Sequence, residues 1–196
     1  MAASSYPEIF VLRHGQTTWN AEGRLQGLLN SPLTALGREQ AAAQGRILAS
    51  CDLAGFRAHA SPLGRAIETA GIAVAPLMAR IETDDRLREI DVGAWSGKLR
   101  DELGVPYDPA MPSGETMELY EAAPGGEGFA RLEARCRAFL DSLDGPAVLV
   151  THGITSRMLR ALHLGQGRDK LSELPGGQGN VFHLKDGVHR ELRDAR

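Results

Sequence analysis

Two short apolar runs end in the same dipeptide. EIFVL at 8–12 leads through Arg13 into His14-Gly15, and PAVLVT at 146–151 leads into His152-Gly153. An uninterrupted apolar run, if it is a strand, must be covered on both faces, a condition met in parallel sheets packed between helices. Both runs then deliver a histidine at a strand's C-terminal end, where open α/β sheets gather their ligand-binding groups. The expectation is a three-layer α/β/α sandwich with a mostly parallel central sheet.

The stretches between the runs fit that frame. In residues 33–50 (LTALGREQAAAQGRILAS), Leu33, Leu36, Ala43, Ile47 and Leu48 recur at helical spacing behind Thr34 as N-cap. A strand expected at 56–60 breaks at Ser61-Pro62, with Ser61 as N-cap, Pro62 in the first helical turn and Arg65 projecting from that turn. A helix follows from Ile154 to about Leu162. The C-terminal VFHLKDGVHREL alternates with period two around Asp186-Gly187, a dipeptide suited to a type I′ turn, and predicts a hairpin at the sheet edge. The Gly- and Pro-rich residues 92–127 read as a lid-like insertion in a single domain spanning 1–196.

At 196 residues a domain buries roughly 70% of its unfolded surface and needs no staples. Aromatic residues make up only 5%, leaving aliphatic side chains to do the packing. A formal charge of −3 argues against nucleic acid, which calls for a basic stripe. The N-terminal MAASSYPEIF lacks a basic start and a long apolar run, and no stretch reaches the ~20 apolar residues of a membrane span, so a cytoplasmic address is expected. Cys51 and Cys136 have no ligand-spaced partners and read as inert thiols.

RHGQTTWN at 13–20 holds a cation, a candidate nucleophile, a glycine and an amide in one short loop. Such a cluster suits a phosphate dianion. A neutral imidazole, with an ordinary pKa near ~6.5, is a competent nucleophile, and nearby arginines would lower that pKa while binding the phosphate it attacks.

These eight residues resemble the signature of the histidine phosphatase superfamily, to which phosphoglycerate mutases also belong. RLQG at 24–27, SPLT at 31–34 with Gly37, SPLGRAIETA at 61–70, LREIDVGAWSG at 87–97 and VTHG at 150–153 resemble later family elements in the family's order. The resemblance implies that His14 is the nucleophile, Glu89 the general acid and base, and Arg13, Arg65 and His152 the groups around the phosphoryl oxygens. It extends phosphate binding to Asn20, Gln26, Gly27 and Gly153. His59, His163, His183 and His189 match no catalytic position and read as structural. One departure stands at Gly128, where the family segment usually carries serine after Glu127.

No HExxH or clustered ligand spacing is present, and a guanidinium-lined pocket would repel a cation, so neither a metal nor another cofactor is expected. Mutases of the superfamily are generally longer, with basic residues in the insertion. Here residues 101–127 hold seven acidic residues (Asp101, Glu102, Asp108, Glu115, Glu118, Glu121 and Glu127) and no Lys or Arg. If that stretch overhangs the site, its field should disfavour polyanionic substrates and favour an amine or neutral alcohol, with Trp95, Met117, Tyr120 and Phe129 as apolar contacts. The expectation is hydrolysis of a small phosphomonoester by a monomer or homodimer, with no nucleic acid or membrane partner. The alternatives are a cofactor-dependent phosphoglycerate mutase and a non-catalytic phospho-ligand binder.

Overall fold

The computed structural model describes residues 6–104 and 117–195. Six strands form one sheet: β1 (Ile9–Arg13), β2 (Arg57–Ala60), β3 (Ile81–Thr83), β4 (Ala147–Thr151), β5 (Val181–Lys185) and β6 (Val188–Leu192). Their spatial order is β3-β2-β4-β1-β5-β6, the first four parallel and the last two antiparallel. The helices are α1 (Thr18–Ala21), α2 (Ala35–Ala49), α3 (Gly64–Ala73), α4 (Met117–Ala122), α5 (Gly128–Asp141) and α6 (Gly153–His163).

Alternation along the central strands divides the core. Ile9, Val11 and Leu149 face α5 and α6, packing with Leu132, Phe139 and Leu159. Phe10, Leu12, Val148 and Val150 face α2 and α3, packing with Leu48, Ala66 and Ala70. Because α2 follows β1 on one face and α6 follows adjacent β4 on the other, the chain changes face between β1 and β4. Open α/β sheets bind ligands in the crevice at such a switch.

The hairpin turn has positive φ at Asp186 (50°) and Gly187 (75°), as a type I′ turn requires, and β6 lies at the edge. Thr34 caps α2 by accepting from the Gly37 amide at 3.0 Å. The buried stripe of α2 is Gly37, Ala41, Gln44, Ile47 and Leu48, so the expected inward Leu36 is instead 49% exposed. α3 starts later than expected. Its N-cap is Leu63, Pro62 precedes the helix, and the Ser61 hydroxyl is drawn to a histidine. Cys136 is fully buried, which pushes its thiol up to about 12, and half-buried Cys51 is raised by the same cause. No described helix is long and apolar enough to cross a membrane.

Leu149 has no exposed surface, so Leu149→Ala should cost about 3 kcal/mol in urea unfolding. Leu36→Ala, on the outer face of α2, should stay within about 0.5 kcal/mol of the parent.

Candidate active site

The register of β1 against β4 pairs Arg13 with Thr151. One residue further on, His14 donates its amide to the Thr151 carbonyl at 3.0 Å, and the His14 and His152 rings meet edge to face, 5.2 Å between centroids. Both rings are buried, with 3% and 0% exposed. Two dipeptides 138 positions apart thus reach one point through strand pairing alone.

The neighbours of His14 fix its tautomer. Nδ1 lies 2.8 Å from the Gly15 carbonyl, which can only accept, and Nε2 lies 3.2 Å from Nε of Arg65, which can only donate. The proton therefore sits on Nδ1, and Nε2 carries the lone pair. Burial, then the charges of Arg65 and Arg13, hold the ring well below the usual imidazole value and keep it neutral. His152 is lowered in the same way, first by burial and then by Arg65, His14 and Arg13, and its Nε2 lies 2.7 Å from the Ser61 hydroxyl.

Arg65 is 1% exposed and aligned by backbone, donating from Nη1 to Leu29 O at 2.6 Å and from Nη2 to Gly27 O at 2.9 Å. Burial lowers it to about 10, which leaves it charged at neutral pH. A Cβ at Gly153 would lie 3.4 Å from Cζ of Arg13 and 3.6 Å from Oε2 of Glu89, so Arg13 and Glu89 flank that glycine. The Glu89 carboxylate caps α6. It accepts from the amides of Ile154 (3.2 Å) and Thr155 (3.1 Å) and from the Thr155 hydroxyl (3.1 Å). The adjacent Arg86 and Arg88 pair elsewhere, with Asp84 at 2.6 Å and Asp85 at 3.8 Å.

Asn20 forms a capping box with Thr17, and its Oδ1 also accepts from Gln178 at 3.3 Å. Gln26 is buried and turned inward, bonded to Thr17 at 2.9 Å and Ser31 at 3.1 Å. Gly27 contributes its carbonyl to Arg65. The remaining histidines lie outside the cluster: His59 against Phe139, His163 at the Pro7 carbonyl, His183 at Glu8 and His189 beside Arg160.

Two glutamines that no motif marks hold the backbone of Arg13 and His14. Gln44, fully buried on α2, donates to the Arg13 carbonyl at 2.9 Å and to Asn180 O at 3.0 Å. Gln178, from the loop before β5, donates to the His14 carbonyl at 3.0 Å. The Gly15 amide donates to Thr69 at 3.1 Å. A Cβ on Gly15 would run into the Gly37 carbonyl, and one on Gly37 into Gln16 O, so this loop lies backbone to backbone on the first turn of α2.

The acidic stretch differs from its expectation. Asp108 and Glu115 lie outside the described residues. Glu127 forms a bidentate pair with Arg135 of α5 (2.6 and 2.9 Å), and Glu121 accepts from the Phe129 amide at the start of α5. Met117, Tyr120 and Phe129 are buried in the core, and Trp95 packs against that core, so these side chains serve packing. Gly128 has φ of +68°, a conformation in which serine would be strained, which accounts locally for the residue found there. Among the described residues no group of three or more His, Cys, Asp or Glu gathers as a metal cage.

Residues 9–189 match the family model described as histidine phosphatase superfamily (branch 1). The chain belongs to the histidine phosphatase superfamily. It is 36% identical over 168 residues, 81% of this chain and 75% of the relative, to a Salmonella paratyphi C protein named "Probable phosphoglycerate mutase GpmB". The structure of YhfR from Bacillus stearothermophilus is 31% identical, with a TM-score of 0.74 over 96% of both chains. A mycobacterial glucosyl-3-phosphoglycerate phosphatase, solved as a complex with VO3, is 29% identical, with a TM-score of 0.75 over 97% of this chain and 100% of that chain.

Gln178→Leu should lower kcat about tenfold through loss of the bond to His14 O, with unfolding free energy changed by at most about 1 kcal/mol; steady-state kinetics and urea titration check both. The lowered His14 and His152 also set a pH dependence. Unfolded imidazoles take up protons as pH falls below ~6.5 while the two buried rings do not, so stability is lost on acidification from that point. The slope should reach about 1.4 kcal/mol per pH unit for each ring, measurable as urea midpoints between pH 7 and 5.

Proposed function

We propose that this histidine phosphatase hydrolyses small phosphomonoesters without a metal, through a phosphohistidine formed on His14. The observation that carries this reading is the fixed tautomer of a neutral, buried imidazole, whose Nε2 lone pair faces a guanidinium. A phosphate dianion exchanges for that hydrogen bond. Arg65 then turns from partner of the nucleophile to partner of a phosphoryl oxygen, with Arg13 and His152 as further contacts.

In the first half-reaction Nε2 attacks phosphorus, the bond to the ester oxygen breaks, and Glu89 gives that oxygen its proton. In the second, Glu89 takes a proton from water, the water oxygen attacks phosphorus, and the N–P bond breaks to regenerate neutral His14 and release phosphate. One carboxyl group, held at the start of α6, serves both halves. In this reading Asn20 and Gly153 border the phosphate, while Gln26 and Gly27 support it from behind, Gln26 through Thr17 and Gly27 through its carbonyl on Arg65.

The name of the Salmonella relative favours a second reading, a phosphoglycerate mutase that returns the phosphoryl group to an alcohol instead of water. Phosphate release and isomerisation distinguish the two directly.

With chelator present, the purified chain should release phosphate from p-nitrophenyl phosphate and from alkyl monophosphates, and His14→Ala should abolish it. Glu89→Gln should slow alkyl esters by about 100-fold or more and p-nitrophenyl phosphate less, because nitrophenolate leaves without needing a proton. Phosphoglycerate isomerisation without phosphate release would sink the hydrolase assignment, and turnover lost to chelator but restored by metal would sink the metal-free one.

A further inference from the structure

The turn between β2 and α3 reaches both histidines of the site. Ser61 leaves β2 beside β4, donating its amide to the Val150 carbonyl at 2.9 Å, two residues before His152. Arg65, four residues further on, donates to Nε2 of His14 at 3.2 Å, while the Ser61 hydroxyl lies 2.7 Å from Nε2 of His152. The reaction above uses Arg65 and leaves Ser61 without a part. Ser61 and His152 have no exposed surface, so the protons between them must be placed within the protein.

The neutral ring of His152 bears one N–H. The Ser61 oxygen already accepts from the Leu63 amide at 3.3 Å, and its own proton needs an acceptor. Among the described residues, Nε2 of His152 is the one acceptor it meets. If the hydroxyl donates there, Nε2 holds the lone pair and the ring proton sits on Nδ1, a nitrogen that is buried without a partner. With the proton on Nε2 instead, the hydroxyl would have nowhere to donate and Nδ1 would bury an idle lone pair. The first arrangement leaves one orphaned group and the second leaves two, so the first is favoured. The orphan that remains is a donor, on a ring packed edge to face against that of His14, 5.2 Å between centroids. What it lacks is an oxygen to donate to.

Resting on the phosphatase reading, we propose that Ser61 is a positioning residue that holds His152 in the Nδ1–H tautomer, so that Nδ1 donates to a non-bridging phosphoryl oxygen. The donor is in place before the substrate arrives, and its bond strengthens as negative charge gathers on that oxygen. No proton moves on His152 in either half-reaction, which leaves proton transfer to Glu89. The two imidazoles then carry their protons on the same ring atom to opposite ends. In His14 the Nδ1 proton is taken by the Gly15 carbonyl, which frees Nε2 to attack. In His152 it is Nε2 that is taken, by Ser61, which frees the Nδ1 proton to bind. The choice of partner atom makes one histidine the nucleophile and the other a neutral donor.

Asparagine and glutamine carry side-chain amides near the places of Nδ1 and Nε2 respectively, so they ask which nitrogen serves. On an alkyl monophosphate, His152→Asn should keep kcat/KM within about tenfold of the wild type, and His152→Gln should lose about 100-fold or more. Ser61→Ala should lower kcat about tenfold with KM changed by no more than about threefold, and Ser61→Thr, which keeps the hydroxyl, should restore most of the loss. The tautomer itself is read without turnover, from long-range proton–nitrogen NMR spectra of the full chain labelled with 15N-histidine, the His152 signals being assigned by their loss from His152→Gln. They should place the proton on Nδ1 in the wild type and in Ser61→Thr, and spread it over both nitrogens in Ser61→Ala. A wild-type proton on Nε2, Asn and Gln variants that work equally well, or Ser61→Ala with wild-type kcat would each overturn the proposal and leave the phosphatase reading intact. If both variants at 152 are inactive, the wild-type spectrum decides. If no ester is hydrolysed, but the proton is on Nδ1 and inorganic phosphate shifts that resonance, the role of Ser61 stands and the hydrolase assignment falls. A resonance that saturating phosphate leaves in place would rule out the contact whatever the kinetics.

Discussion

The site depends on the parallel pairing of β1 with β4. With Arg13 opposite Thr151, both strands end level, and the next residue of each is a histidine. A slip of one position would turn every buried side chain of a strand to the opposite face and set the two rings a residue apart. Residues on alternate faces of both strands are buried in two separate cores, so such a slip is opposed from above and below the sheet. The hydrophobic pattern that fixes the register is therefore also what aligns the chemistry.

Around that point the protein keeps cations close to neutral imidazoles in a dry setting. Arg65 would be costly to bury alone. Two carbonyls, of Gly27 and Leu29, meet its guanidinium from a loop that winds back over it, and they leave the charge itself uncancelled. At the exposed Arg131 the carbonyls of Glu127 and Gly126 likewise align a guanidinium, there without the cost of burial. Glu89 is held differently, by amides at the start of α6, so its carboxyl group and the Arg65 guanidinium are fixed by separate elements. Neither has to move for the other to be in place.

Much of this was legible in the chain. Consecutive apolar residues before Arg13 and His152 specify buried strands, Thr34 specifies the start of α2, and Asp186-Gly187 specifies the last turn. What escaped has physical causes. β3 is a three-residue edge strand, Ile81–Thr83, with exposed polar side chains and so no burial pattern to read. Ser61 has the identity of an N-cap, but its hydroxyl is shared between the Leu63 amide and a buried histidine, two residues before the helix begins. Gln44 and Gln178 act through side-chain amides on backbone carbonyls, an interaction indifferent to sequence spacing. The apolar stripe of α5 (Phe129, Leu132, Cys136, Phe139, Leu140) is written at helical intervals, whereas the reach of its Arg135 to the Arg86 carbonyl depends on long-range packing.

The backbone contact between the Gly15 loop and Gly37 has one more consequence. It works as a mechanical stop. The loop that carries the imidazole cannot sink further towards α2, because main chain already touches main chain, and it cannot lift away without giving up its bonds to Thr69 and Gln40. The depth of His14 is thus set by the thickness of two peptide backbones, a dimension that holds as long as Gly15 and Gly37 stay without side chains. In the proposed reaction, a histidine seated against such a stop keeps its place through each turnover, while the phosphoryl group comes and goes.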